Sequence, residues 1–307
     1  MVNSANLRAG IYMMIAMGLF TIGDSITKLL AQEMNGGQYM LVRGLFATAI
    51  ITALAWYQGN LRKIDYHPMV ILRVAAEVVA AITYIYVLKF VSQAFASSIF
   101  QAVPLFVTIG AAVFLRETVG WRRWTCILVG LVGVLIIIRP GGNEVAGVAS
   151  IALLLLSVLA AAVRDLATRR VPDTVPTLYL STLTTVATTM VGAAIIVPMG
   201  GWAPLTVNSV FLCIVAAVLL LIGYSFIIMA MRQGEISFVS PFRYTSLLWA
   251  IILSTIVFHE PPDLWTIAGA LIVVSSGVYM IYRESVLNKR EKQRSTLASI
   301  PTGIDPS

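Results

Sequence analysis

The stretch Phe114-Leu115-Arg116-Glu117-Thr118-Val119-Gly120-Trp121 returns 143 residues later as Val257-Phe258-His259-Glu260, followed by Pro261, Pro262 and Trp265. Each copy closes an apolar run with an acid, turns, and places a Trp at the start of the next run. Upstream, Lys89 before the break at Ser92-Gln93 corresponds to Arg232 before the break at Gln233-Gly234. Downstream, each copy continues through a Gly-containing run to Arg139 or Arg283. Apolar segments share composition by chance, but the Glu–turn–Trp–Gly register favours an internal repeat.

Working outward, apolar runs bounded by charges, Pro, Gly and Asn give ten segments: 9–31, 38–57, 69–90, 94–115, 121–138, 148–167, 177–197, 210–231, 237–258 and 264–282. A spanning helix needs roughly 20 apolar residues, so ten of them with their loops use up the 307-residue chain. The segments lack the alternation of a membrane barrel strand and are expected as helices. The predicted fold is an all-α integral membrane protein of ten transmembrane helices in two five-helix repeats, 1–143 and 144–283, with a polar, disordered tail at 284–307. Five crossings is an odd number, so the second repeat inverts relative to the first, a pattern that belongs to transporters.

Composition agrees. Hydrophobic residues make up 59% of the chain and charged ones 11%, less than half the charge of a soluble domain. Mean hydropathy is +0.89. Lipid must therefore be the main solvent, which excludes a soluble enzyme, a nucleic-acid-binding module and a disordered scaffold. The net charge of +7 is explained by basic loops rather than by a nucleic-acid partner. Fourteen Lys and Arg fall on the loops continuous with the N-terminus and two, Lys89 and Arg139, on the others. The positive-inside rule then places both termini in the cytoplasm, for a multi-pass protein of the inner membrane. The first segment is too long for a signal peptide and carries Asp24 and Lys28.

The runs Gln101-Ala102-Val103-Pro104-Leu105, Phe114 to Trp124, Gly130, Gly133 and Arg139-Pro140 resemble the EamA repeat of the drug/metabolite transporter superfamily. So does Phe242-Arg243-Tyr244-Thr245-Ser246-Leu247-Leu248-Trp249-Ala250 leading to Phe258-His259-Glu260-Pro261. The resemblance covers residues 9 to 283. It implies a ten-helix exporter without an ATPase part, with aromatic amino acid exporters as the nearest type. One departure is His259, where a small residue is commoner.

Ionisable groups inside a span are costly and each needs a reason. Asp24 and Lys28 lie four apart on the first segment, as do Arg73 and Glu77 on the third, spacings that allow pairs on one helix face. Arg43 lies early in the second segment, Arg164 and Asp165 late in the sixth, and Arg243 a third of the way along the ninth. A structural reading makes Asp24, Lys28, Arg43, Arg73 and Arg164 an internal ion-pair or gating set. A functional reading has Glu77 bind the ammonium and Arg243 the carboxylate of a zwitterionic substrate, since the Arg fork matches a carboxylate. Glu77 is alternatively the carrier of a coupling proton.

Tyr84, two turns beyond Glu77, and mid-span Tyr224 supply a side-chain subsite, with Trp249 beside it. Gln101 and Thr108 form a polar stripe that Ser237 and Ser240 join from the ninth segment. Pro104 and Pro241 read either as hinges or as tolerated kinks. Gly130, Gly133, Gly269 and Gly277 permit close helix packing. No phosphate-binding loop, metal-ligand spacing or catalytic set is present in the sequence, so neither cofactor nor metal is expected.

The chemistry thus points to a secondary transporter exporting amino acids and related small metabolites by alternating access. Segments three, four, eight and nine are expected to line the cavity, with one and six closing it. The alternatives are efflux of drugs or hydrophobic cations and, from another class, a multi-span enzyme acting on lipid.

Overall fold

A computed structural model describes residues 4–59, 67–114, 121–138, 147–172, 174–233, 240–279 and 282. Among these, ten helices stand where ten spans were read. They are α1 (Ser4–Leu30), α2 (Gly36–Tyr57), α3 (Pro68–Leu88), α4 (Gln93–Phe114), α5 (Trp121–Ile138), α6 (Val148–Arg170), α7 (Thr177–Ile195), α8 (Val207–Gln233), α9 (Thr245–Ile256) and α10 (Leu264–Tyr279). Seven are long and apolar enough to cross a membrane, while Trp124–Ile138, Phe242–Ile256 and Leu264–Tyr279 are shorter. Ser237, the loop residues 60–66, 115–120 and 139–146, and the tail 284–307 lie outside the described residues.

Local chemistry sets the helix limits. Asn35 and Ser92 cap α2 and α4 by accepting from the amides of Gln38 and Phe95 at 2.8 and 3.2 Å. Pro68 stands at the start of α3, where its missing N–H costs nothing. Along α7, the hydroxyls of Thr182, Thr184, Thr185, Thr188 and Thr189 all donate to carbonyls four residues back, which satisfies them inside an apolar setting.

α4 is interrupted: it runs Gln93–Phe100, turns at Gln101 and Ala102, and resumes over Val103–Phe114. Pro104 withholds the amide that would continue the ladder, so the expected bend is present at this proline. Pro241 differs. It stands in a 3-10 turn, Ser240–Tyr244, ahead of α9 rather than within a helix, and α9 begins eight residues later than the sequence suggested.

The packing exchanges the two sets of five helices. α1 packs along α8, α3 along α6, and α2 along α7, while the second half of α4 meets α6 and α9 meets α1. The first helix of each set thus packs on the third helix of the other. Glycines make the like-on-like contacts possible: a Cβ on Gly37 would lie 2.9 Å from the Gly192 carbonyl, joining α2 to α7. One on Gly133 would lie 2.9 Å from the Gly269 carbonyl, joining α5 to α10. Close approach through small residues replaces the hydrophobic drive that lipid removes.

The outer surface is apolar, with Leu45, Ile71, Val113, Leu128, Phe211 and Leu271 exposed on six different helices. A water-facing surface does not carry such a belt. Trp56, Tyr57, Trp121, Trp202 and Trp265 are exposed at helix ends, where the headgroup layers hold amphipathic rings.

Candidate functional site

The bundle has a polar interior that runs lengthwise, drawn from α1, α2, α3, α6, α7 and α8. It begins at the end of the bundle where α1 finishes and α2, α4, α8 and α10 start. There Lys28 of α1, whose side chain is 6% exposed, forms an ion pair with Glu260 from the connection between α9 and α10. The Lys28 ammonium also donates to the Val91 carbonyl at 3.1 Å and lies 4.8 Å from the centre of the Phe258 ring. Asp24, for which the sequence allowed Lys28 or Arg43 as partner, does not hold Lys28. A carboxylate, a carbonyl and a ring face converge on the ammonium from other elements, and a neighbour four residues away cannot match that set.

His259 shapes this turn. Its φ of 55° is the left-handed region, which a side chain with a Cβ adopts only when its surroundings impose it. The turn is closed by Ser254, whose carbonyl accepts from the Glu260 amide at 2.9 Å and whose hydroxyl donates to the Glu260 carbonyl at 2.8 Å. The outcome is a Glu260 carboxylate aimed at α1.

More contacts between the two sets of helices seal the same end. The Gln38 side chain exchanges hydrogen bonds of 2.8 and 2.9 Å with the backbone of Ala203. Asn35 donates to the carbonyls of Ile196 and Gly201. Within the first set, Ser25 donates to Gln93 at 2.7 Å, and Gln93 donates to the Thr21 carbonyl at 2.8 Å. Gln38 and Gln93 are fully buried, and each uses both its oxygen and its nitrogen in these bonds, as buried amides must be.

Midway along the bundle, Arg164 of α6 holds Glu77 of α3 at 2.9 Å and its own neighbour Asp165 at 2.8 Å. Arg73 does not pair with Glu77 in the way the helix spacing allowed. It donates instead to the hydroxyls of Thr168 on α6 and Thr184 on α7, at 3.1 and 2.6 Å. Tyr224 of α8 lies within the electrostatic reach of Glu77, Arg164, Arg73 and Arg43. The ring of Tyr84 packs edge-on against Phe100 at 4.8 Å, and its hydroxyl donates to Asp24 at 3.2 Å. Arg43 lies over the Tyr39 ring at 5.2 Å.

Accessibility differs along the column. The Glu77 and Arg164 side chains are 21% and 28% exposed although they lie inside apolar helices. At the sealed end, one apolar cluster joins α1, α2, α3 and α8 through Leu30, Tyr39, Ile85 and Cys213, and another joins α3, α4, α5, α6 and α10. Toward the N-terminal end, the described residues form two separate groups. Met13 and Met17 of α1 gather with Ala230 of α8 and Phe242 of the turn before α9, and Val70 of α3 gathers with Tyr179 of α7 and Val175 just ahead of it.

Several expected site residues lie elsewhere. Arg243 is exposed on the turn before α9, beside the Phe242 ring that packs on Gly10 of α1. The structure does not bring it to Glu77, because the late start of α9 leaves it at the mouth of the bundle. Ser240 heads the same turn. Trp249 lies against Gly18 of α1. Gln101 donates to Ser246 of α9 at 2.8 Å, tying the two fourth helices together, and Thr108 bonds back to the Pro104 carbonyl. Side chains of α1, α2, α6 and α7 join those of α3 and α8 in the polar column, while Phe100 of α4 packs on Tyr84. Thr168, Thr184 and Gln93 were missed, since a lone polar side chain carries no pairing signal.

The comparisons bear on this arrangement. The sequence pattern of the EamA-like transporter family matches twice, over residues 7–139 and 148–283. The chain is 24% identical over 291 residues to the S-adenosylmethionine uptake transporter of Rickettsia prowazekii, covering 92% of this chain and 96% of that one. It is 24% identical over 273 residues to the pseudopaline exporter CntI of Pseudomonas aeruginosa, covering 87% and 94%. It is 29% identical over 196 residues to the riboflavin transporter of Vibrio cholerae, covering 62% of each. A crystal structure superposes with a TM-score of 0.62 at 17% identity, covering 91% of this chain and 96% of its own, and so shares the fold. Where the sequence placed aromatic amino acid exporters nearest, these relatives carry other substrates. With its two five-helix sets matched in turn, the chain belongs to the EamA-like transporter family of multi-span membrane proteins.

Proposed function

We propose that the protein is a secondary transporter of the inner membrane that exports amino acids and related small zwitterionic metabolites by alternating access. Ten crossings as two inverted repeats, dividing near residue 143, would put both termini in the cytoplasm. The observation that carries the reading is the charged column itself: Glu77 midway along α3, with Arg164 and Asp24 in the last two turns of α6 and α1, inside an apolar bundle joined at one end by contacts between the repeats. Under the positive-inside orientation the end closed by Lys28 and Glu260 faces outward, and on this reading the substrate route to Glu77 starts from the cytoplasm.

One relative supports the substrate class by name: S-adenosylmethionine is itself an α-amino acid bearing an aromatic base. A second reading, efflux of hydrophobic cations, draws on the carboxylates of Asp24 and Glu77 beside the rings of Tyr84 and Phe100.

The test is flux in proteoliposomes against amino acids, S-adenosylmethionine, riboflavin and cationic dyes, with and without a pH gradient. Amino acids and S-adenosylmethionine are expected to move. Movement of dyes alone would hand the site to the cation reading, and dependence on the pH gradient would assign the driving force to protons.

A further inference from the structure

The cations inside the bundle are nearly all employed. Lys28 has Glu260 and the Val91 carbonyl, Arg164 has Glu77 and Asp165, and Arg73 has two threonine hydroxyls. Arg43 stands apart, because its Nε is buried and has no hydrogen-bond partner. A guanidinium inside a membrane with a buried, unused N–H is costly to keep, and a residue kept at that cost calls for an occupant.

Asp24 stands on the facing helix. Asp24 lies one turn before Thr27, whose hydroxyl bonds the Tyr39 hydroxyl, and Arg43 lies over that Tyr39 ring, yet Asp24 and Arg43 form no ion pair. Asp24 accepts one hydrogen bond, from Tyr84 at 3.2 Å, which leaves most of its oxygen lone pairs open. An opposite pair held apart in this way is complementary to a molecule bearing both charges. Arg43 disfavours a plain cation and Asp24 disfavours a plain anion such as phosphate.

We propose that Arg43 and Asp24 form the anchor for the zwitterionic head of the substrate, with Arg43 taking the carboxylate and Asp24 the ammonium. The Arg43 plane is held ready by the Tyr39 ring beneath it, and Tyr39 is fixed in turn by a 2.7 Å hydrogen bond with Thr27. A planar fork already oriented on an aromatic face loses little freedom when it binds a carboxylate in two-point fashion. The apolar remainder of the substrate would lie among Tyr84 and Phe100 on one side and Phe20 and Tyr224 on the other, both edge-on ring pairs. Phe20 lies one turn before Asp24 on the same face of α1, and Gly223 beside Tyr224 leaves room for its ring. This assignment rests on the transporter reading and replaces Arg243 as the carboxylate-binding residue.

The test uses matched trios in proteoliposomes: tyrosine, tyramine and 3-(4-hydroxyphenyl)propionate, then methionine, 3-(methylthio)propylamine and 4-(methylthio)butyrate. Wild-type protein is expected to prefer each zwitterion over its amine and its acid by about tenfold or more. Arg43→Gln should erase the preference over the amine, and Asp24→Asn the preference over the acid. Arg43→Lys keeps the charge but loses the fork, so it should lower the first ratio while preserving a folded, monodisperse protein. Ratios within one preparation are independent of how much of a variant is reconstituted. An unchanged zwitterion-to-amine ratio in Arg43→Gln and Arg43→Lys would overturn the assignment, as would wild-type protein that moves the amines as well as the zwitterions. If dyes or riboflavin move and neither zwitterion does, the anchor is wrong and the transporter reading stands. If no solute moves, both fall.

Discussion

Lys28→Glu is expected to abolish most transport, Glu260→Lys to do nearly the same, and the combined exchange to restore a substantial part. The ion pair joins the first repeat to the connection between α9 and α10 in the second, at the end where the bundle is closed. Reversing either charge sets like charges against one another and destabilises the closed arrangement. The Lys28 side chain is buried whereas Glu260 is 43% exposed, so solvent screens part of the interaction. A penalty of roughly 1–3 kcal/mol is reasonable, which shifts a two-state equilibrium by about 5- to 150-fold. The exchange restores the attraction but not every contact. A Glu at position 28 would face the Val91 carbonyl and the Phe258 ring, both of which favour a cation. Rescue should therefore be partial. The measurement is initial flux of a transported amino acid in proteoliposomes for the four proteins. Equal loss in both single variants and the double variant would show that the pair does not hold the gate.

Arg164→Met is expected to be the most destabilising single change in the bundle interior. Arg164 neutralises Glu77 across the interface between the repeats and Asp165 beside it. Without it two carboxylates remain close together within an apolar bundle. Removing one partner of a buried ion pair costs about 3–5 kcal/mol in proteins, because the charge left behind is uncompensated. The partial exposure of all three side chains argues for the lower end of that range. Glu77→Gln should be milder, since Arg164 keeps Asp165. The double variant Arg164→Met/Glu77→Gln should recover part of the loss, which is the coupling that a double-mutant cycle reads. Thermal unfolding in detergent, followed with flux, measures both consequences. An Arg164→Met protein as stable as wild type would remove the cluster from its structural role.

The helices were legible in the sequence because lipid imposes a simple rule. Every backbone amide must bond within its own segment, so each long apolar run becomes a helix, and ten runs correspond to ten helices. The bend at Pro104 and the close contacts of Gly133 and Gly269 were legible for equally local reasons. The start of α9 was not, because Phe238, Val239 and Phe242 join residues 237–244 to the apolar run while Pro241 admits a turn there. The charge pairings were legible only as candidates. A spacing of four residues shows that Asp24 and Lys28 share a face, but Lys28 found its partner 232 residues away and Glu77 its partner 87 away. Those choices depend on which helices are neighbours, and α1–α8 and α3–α6 packing is set by shape rather than by any local pattern.

Accessibility of one position within the span from the two sides of the membrane tests the central claim most directly. Tyr224→Cys places a thiol beside Glu77 and Arg164, in a background where the two buried native thiols are removed by Cys126→Ala and Cys213→Ala. A membrane-impermeant methanethiosulfonate reagent should label it in inside-out vesicles and spare it in right-side-out vesicles. Adding Lys28→Glu should open the outward route and allow labelling in both. Equal labelling from both sides in the background protein, or no response to Lys28→Glu, would contradict a cytoplasm-facing cavity closed by an outer gate.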